Sequence, residues 1–227
     1  MWQGRGVPDY PSRTLSVSGL YAEITPDRWV PGSFTLVVDG TPQSHVNLDD
    51  PSQLFFEYIQ RMGHVIDQLR MPGEPITAVH LGAGALTLPR YVEATRPGSR
   101  QQVIELEPDL VDLVRTELAL PTRGDALDDR LRDIGYGEWE GLTMPQMKAR
   151  DPARFNERDT DKWGVAPPDG ESYAQLAARV ADWYRALETD TVAVAHGGTM
   201  RALMVISGVL DWLQAADTPV AQGVVYV

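Results

Sequence analysis

The chain has 227 residues, of which 43% are hydrophobic and 23% charged, a composition typical of one large or two small globular domains. Its 32 acidic and 20 basic residues give a formal net charge of −12, which argues against nucleic acid or an anionic membrane as a partner. The absence of cysteine excludes disulfides, thiolate metal sites and thiol nucleophiles.

Histidine spacing and hydropathy argue against a metal site and against a membrane-spanning segment. The four histidines are scattered without paired spacing, so we expect no metal site. No apolar stretch reaches the roughly 18 residues that a membrane span requires, and the first residues contain no apolar signal core. We therefore expect a cytoplasmic protein without a membrane partner.

The first half of the chain predicts a small antiparallel region followed by a helix. Residues 1–18 are polar and rich in Gly, Pro and Ser, which predicts a flexible arm. Short strand-like runs between residues 20 and 46 predict a β-hairpin region. Apolar residues at helical spacing then predict an amphipathic helix over residues 54–69.

A parallel βαβα unit is predicted next, and a second set of elements follows a charged, loop-like stretch. The predicted strands are 76–81, 101–106 and 191–195, with a β-like run at 223–227. The predicted helices are 86–95, 108–118, 143–156 in short pieces, 173–187 and 199–208. We predict an α/β fold, with one or more parallel Rossmann-like sheets covered by helices on both faces and a small antiparallel β-hairpin region before them.

The segment "VHLGAGALTLPR" places a glycine loop between a predicted strand and a helix. Gly82 and Gly84 would let a ligand approach the backbone closely, and the helix would offer unpaired N–H groups. Glu105 ends the next strand about 20 residues further on, where an acid can accept hydrogen bonds from a ribose. The alternative is that the glycines only make a tight turn.

Together with "DGTPQSHVNLDDPSQLFFEYIQRMGHVI" and "VIELEPDLV", this segment resembles the spermidine synthase family over residues 19–121. The resemblance implies a binding site for decarboxylated S-adenosylmethionine or methylthioadenosine, lined by Gly82 and Gly84, with Gln43 near it and Glu105 on the ribose. Because that family is commonly oligomeric, a homodimer is expected by resemblance alone. The chain offers no counterpart of the family's later aspartate, which activates the attacking amine.

Three other motifs, "RLRDIGYGEWEGLT", "PPDGES" and "VAVAHGGTMRAL", resemble the histidine phosphatase superfamily of phosphoglycerate mutase relatives, and we assign residues 122–227 to this portion. The resemblance implies a small phosphorylated substrate and no cofactor. It places His196 on the phosphoryl group and Asp133 as the proton donor, a position usually held by glutamate. Glu171 and Ser172 would border the pocket, and Arg201 is expected to anchor its helix in a salt bridge.

The nucleophile of that family lies in an N-terminal Arg-His-Gly, which this chain lacks. His80 alone among the remaining histidines lies near the end of a predicted parallel strand and is the candidate substitute. Two simpler interpretations stay open: His196 could be purely structural, and Asp133 could pair with Arg130 or Arg132.

We interpret the chain as two truncated families joined near residues 121–128. The best-supported chemistry is phosphoric ester hydrolysis, impaired by the missing nucleophile. The alternatives are a nucleoside binder related to aminopropyltransferases and a catalytically inactive fusion. We also hypothesise a hybrid sheet, in which the strand at 76–81 stands where the phosphatase's first strand would be.

Overall fold

The computed structural model describes residues 10–119, 133–221 and 223. The strands in these residues are β1 Ser12–Thr14, β2 Tyr21–Pro26, β3 Ser33–Val38, β4 Thr41–Asn47, β5 Thr77–Leu81, β6 Arg100–Ile104 and β7 Thr191–Val194. The α-helices are α1 Glu57–Gln68, α2 Thr87–Thr95, α3 Pro108–Glu117, α4 Met144–Arg150, α5 Pro152–Thr160, α6 Tyr173–Arg185, α7 Gly197–Ile206 and α8 Trp212–Ala215. The predicted join near 121–128, and all of the predicted run at 223–227 except Gly223, lie outside the described residues.

The first four strands form an antiparallel sheet in chain order. Asp39 and Gly40 connect β3 to β4 with φ values of 45° and 73°, while Val38 pairs directly with Thr41. Two consecutive positive φ angles are what a two-residue hairpin turn requires, and an Asp-Gly pair adopts them at low cost. One face of this sheet packs against α3, so the predicted antiparallel region is confirmed.

The end of the predicted flexible arm is ordered, which corrects that prediction for residues 10–18. Leu15 is buried in the core between the antiparallel sheet and α3. The backbone N–H of Ser18 donates to the carboxylate of Glu107 at 2.7 Å, and that of Ser16 donates to Asp109 at 2.9 Å. A single buried leucine and the two acids at the start of α3 therefore hold a segment whose composition predicts disorder.

The remaining strands form a parallel sheet in the order β6-β5-β7, with β5 in the centre. Thr77 at the start of β5 pairs with Arg100 of β6 on one side and with Thr191 of β7 on the other. A strand of the first half of the chain therefore lies beside a strand of the second half. The predicted sharing of one sheet by both halves of the chain is confirmed, while the equivalence of β5 to the phosphatase's first strand stays a prediction.

Helices cover both faces of this parallel sheet. Because successive side chains of a strand point to opposite faces, Val79 and Leu81 pack in one core with α6 and α7, whereas Ala78 packs in another with α1 and α2. Two covered faces are what a parallel sheet requires, and the predicted α/β class is confirmed. Among the described residues, no helix combines the length and apolar character needed to cross a bilayer.

Candidate functional site

The carboxyl ends of β5 and β7 bring the two halves of the chain into contact. His196 follows β7, is exposed, and forms the N-cap of α7. Gly82 follows β5, and a Cβ atom built on it would lie 2.8 Å from the Nε2 atom of His196. The register of the two strands, in which His80 pairs with Val194, carries forward to set Gly82 opposite His196. The position facing the imidazole is thus held by a residue without a side chain.

Asp133 lies at the amino end of α7, where the helix begins beside His196. Its Oδ1 atom accepts hydrogen bonds from the backbone N–H and the hydroxyl of Thr199, both at 3.3 Å. The first N–H groups of a helix have no partner within the helix, so the oxygen of a neighbouring side chain can accept them. A Cβ on Gly198 would lie 2.7 Å from this Oδ1, so glycine is needed for the close approach. His196 and Asp133, both predicted from their motifs, are therefore brought together.

The segment carrying Asp133 is held in place by a buried ion pair. Arg179 donates to both carboxylate oxygens of Glu171, from Nε at 2.7 Å and from Nη2 at 2.8 Å. The same Nη2 donates to the backbone carbonyl of Asp133 at 3.0 Å, and the N–H of Glu171 donates to the carbonyl of Gly135 at 2.8 Å. Glu171 is therefore a positioning residue behind the site.

Ser172, which the resemblance places at the border of the pocket, has a local role in capping. Its hydroxyl oxygen accepts the backbone N–H of Gln175 at 3.3 Å, and the Gln175 side chain accepts the N–H of Ser172 at 2.8 Å. This reciprocal pair is a capping box that starts α6. Ser172 is also buried, so its hydroxyl serves the helix.

His80, the candidate substitute for the nucleophile, is buried on the face of the sheet that α1 and α2 cover. It is 2% exposed and shares the face of β5 that packs on α1 and α2. Its Nε2 lies 3.0 Å from Oε1 of Gln101, whose amide nitrogen donates to the carbonyl of Pro89. Burial lowers the pKa of His80 to about 4. Burial and the contact with Gln101 therefore indicate a structural role for His80 and leave its imidazole poorly placed to attack a phosphoryl group.

Arg201 anchors α7, but its described hydrogen-bond partners are neutral, which corrects the expected salt bridge. Its Nε donates to the carbonyl of Thr218 at 2.9 Å and its Nη1 to the hydroxyl of Tyr173 at 3.4 Å. A Cβ on Gly197 would lie 3.3 Å from the same Nη1, so this guanidinium adjoins the amino end of α7. The predicted alternative partners of Asp133, Arg130 and Arg132, lie outside the described residues.

The residues predicted to bind a nucleoside lie on another side of the glycine loop. Ala83, Gly84 and Glu105 line a cavity of about 140 Å³ beside α3. The carboxylate of Glu105 accepts three backbone N–H groups, from Ala83 at 2.7 Å, Leu106 at 2.8 Å and Glu107 at 3.0 Å. In this structure, Glu105 therefore holds the loop between β5 and α2 in place.

Gly84 and Gln43 connect this loop to the antiparallel sheet. A Cβ on Gly84 would lie 2.2 Å from the hydroxyl oxygen of Ser44, so the absence of a side chain lets the loop pack on β4. Gln43 is exposed, and its carbonyl accepts the hydroxyl of Tyr58 at 3.0 Å. Gln43 is not among the residues that line the cavity beside Glu105. In the part of the chain that the structure describes, no cluster of three His, Asp or Glu residues could hold a metal ion.

Comparisons with known proteins find relatives of two kinds. Residues 117–223 match the histidine phosphatase superfamily (branch 1). Over 143 residues the chain is 36% identical to glucosyl-3-phosphoglycerate phosphatase of Mycobacterium tuberculosis, a match that covers 56% of this chain and 62% of that protein. The native structure of a mycobacterial glucosyl-3-phosphoglycerate phosphatase matches this chain with a TM-score of 0.47 and 23% sequence identity. The match covers 70% of this chain and 68% of the phosphatase chain.

The other resemblance has its own match. Over 89 residues the chain is 30% identical to polyamine aminopropyltransferase of Neisseria meningitidis, covering 39% of this chain and 33% of that protein. The chain thus spans less than two thirds of either curated relative. Both predicted resemblances are confirmed, to the histidine phosphatase superfamily and to spermidine synthase-like proteins, each over part of the chain.

Proposed function

We propose that this protein binds a small phosphoric ester at the carboxyl ends of β5 and β7 and hydrolyses it slowly. The observation that carries the proposal is the meeting of His196 and Asp133 at the amino end of α7. A histidine and a helix amino end both supply N–H donors for a phosphoryl group, and a carboxyl group beside them can protonate a leaving oxygen.

The proposed reaction is impaired because a covalent phosphohistidine step has no residue to carry it. Gly82 faces His196, and His80 is buried on the face of the sheet that α1 and α2 cover. Water must then attack phosphorus directly, forming a new P–O bond as the ester P–O bond breaks. Asp133 gives a proton to the leaving oxygen and takes one up again as the attacking water releases a proton to solvent, while His196 stabilises the charge on the phosphoryl oxygens.

Turnover of p-nitrophenyl phosphate tests this proposal. We expect a low rate that falls about 10²-fold in His196→Ala, since removal of one transition-state donor typically costs that much. His64→Ala is the matched control, because His64 is exposed on α1. Equal rates in the two variants would refute the role of His196. A phosphohistidine found by mass spectrometry after quenching would refute the impairment.

The substrate class is proposed as a small phosphorylated molecule. The relative from Mycobacterium tuberculosis is named for glucosyl-3-phosphoglycerate, which makes that ester the first compound to compare with p-nitrophenyl phosphate. A higher kcat/KM for the sugar ester, lost in His196→Ala, would support a related substrate here.

A second candidate function is binding of a nucleoside derived from S-adenosylmethionine. The cavity beside Ala83, Gly84 and Glu105, together with the similarity to an aminopropyltransferase, favours it. Calorimetry with methylthioadenosine and with decarboxylated S-adenosylmethionine tests this candidate function. The absence of binding heat with the unmutated protein would refute nucleoside binding. Glu105→Gln is the variant to compare, because it keeps an oxygen for the loop N–H groups.

We further propose that the chain is a fusion of two truncated families. The similarity of one segment to an aminopropyltransferase and of another to phosphatases supports this. If the experiments detect neither phosphatase turnover nor nucleoside binding, a catalytically inactive fusion is the remaining interpretation.

A further inference from the structure

A cavity of about 260 Å³ lies between α4, α5 and the start of α6, and its lining includes neither His196 nor Asp133. Polar and aromatic residues that line it include Tyr136, Phe155, Arg158, Lys162, Tyr173 and Arg201. Three of these side chains are cationic, in a chain whose formal net charge is −12. This cavity therefore has a local concentration of positive side chains, although the protein as a whole is negatively charged.

Arg158 is the most unusual member of this cavity. It is only 8% exposed, yet its Nε and Nη2 atoms are buried without a hydrogen-bond partner. Its guanidinium lies 5.2 Å from the ring centre of Tyr136, which gives it a cation–π contact. A buried cation whose N–H groups are unpaired is unfavourable unless an acceptor is supplied. The guanidinium thus lacks the oxygen atoms that would normally surround it.

The neighbouring cations do not supply an acceptor for the Arg158 guanidinium. Arg201 donates to the carbonyl of Thr218 and the hydroxyl of Tyr173, so neither of these partners offsets its charge. Lys162 pairs with Asp217, and Asp159, which lines the cavity, is exposed. Arg158 and Arg201 therefore border the same space, and Asp159 is the carboxylate among the lining residues that the structure describes.

We propose that this cavity binds the phosphate or carboxylate group of a small acidic molecule, with Arg158 as its principal ligand. A guanidinium forms paired hydrogen bonds with planar or tetrahedral oxyanions, and it has donors to spare here. A modest turn of the side chain would present Nη2 to an anion in the cavity. Phe155 and Tyr136 form a wall on which an apolar part of the molecule can pack. The lining of this cavity includes neither His196 nor Asp133, although Arg201 also adjoins the amino end of α7, and the proposal does not rest on phosphatase activity.

Calorimetry on the full chain tests the proposal, with inorganic phosphate and malonate as the two probes at constant ionic strength. We expect Arg158→Gln to weaken binding of at least one probe about tenfold or more. Arg158→Lys keeps the charge but loses the planar fork, and is expected to bind several-fold more weakly. Arg185→Gln, an exposed arginine on α6, is the matched control and should bind as the unmutated protein does.

Arg158→Gln should fold, because it removes a buried charge without hydrogen-bond partners, and its melting temperature without anion should not fall. Binding of malonate should survive in His196→Ala, which separates this cavity from the phosphatase site. Stronger binding of phosphate would identify phosphate as the preferred group, and stronger binding of malonate a carboxylate. Failure of both probes up to about 10 mM, or wild-type affinity in both Arg158 variants, would overturn the proposal.

Discussion

Gly82 and His196 touch across the ends of two neighbouring parallel strands that come from different halves of the chain. The Nε2 atom of His196 lies 2.8 Å from the position that a Cβ on Gly82 would occupy. Gly82 also has a φ of +94°, which side chains rarely tolerate, and its N–H donates to Ile104 at 2.7 Å. The glycine loop of one portion therefore leaves the space that the histidine of the other occupies.

Gly82→Ala should displace the imidazole of His196. We expect a loss of stability of about 1–2 kcal/mol from the positive φ, and a fall in phosphatase turnover of about tenfold or more from the displacement. Gly98→Ala is the matched control, since Gly98 has a φ of +83° and a Cβ there would meet nothing within 4 Å. Urea unfolding and turnover of p-nitrophenyl phosphate measure the two effects. An equal loss of activity in both variants would show that strain alone is responsible.

Asp133→Asn should slow hydrolysis according to the leaving group. The asparagine oxygen can still accept from Thr199, so the amino end of α7 keeps its shape, but the proton donor is lost. We expect kcat to fall about 10²-fold for an alkyl phosphate and much less for p-nitrophenyl phosphate, whose leaving group needs no proton. Asp182→Asn, on the exposed part of α6, is the control. The same loss with both substrates would argue against proton donation by Asp133.

Local patterns in the sequence predict the elements well, and long-range contacts poorly. The strands at 76–81 and 191–195 follow from short apolar runs, and His196 and Asp133 follow from their motifs. The contact between Gly82 and His196 depends on how two distant strands pair, and no local pattern encodes that register.

His80 and Arg158 differ in how far the sequence could have predicted their burial. Alternation along β5 could have assigned His80 to the face opposite Val79 and Leu81, and so to a buried structural role. Nothing in the polar sequence of α5 distinguishes buried Arg158 from its exposed neighbours, because its burial comes from packing against Tyr136.

Glu171→Gln should destabilise the fold and loosen the segment that carries Asp133. The side chains of Glu171 and Arg179 are 10% and 16% exposed, so the change removes one charge of a buried pair. We expect a loss of about 3 kcal/mol, measured by urea unfolding. Glu157→Gln breaks the exposed pair with Arg154 on α5 and should cost less than about 1 kcal/mol. Similar losses in the two variants would contradict a special role for the buried pair.

Acid should weaken the fold through His80. Burial lowers its pKa from 6.5 to about 4, so the unfolded chain binds this proton more readily than the folded protein. The contribution of His80 is therefore intact above pH 6.5 and is lost progressively as the pH falls toward 4. Linkage gives a loss of about 2 kcal/mol at pH 5. Urea unfolding at pH 7 and pH 5 should show that His80→Gln reduces the pH dependence by this amount, whereas His64→Gln, on the exposed side of α1, leaves it unchanged. An unaltered pH dependence in His80→Gln would mean that the folded protein accommodates a charged imidazole at β5.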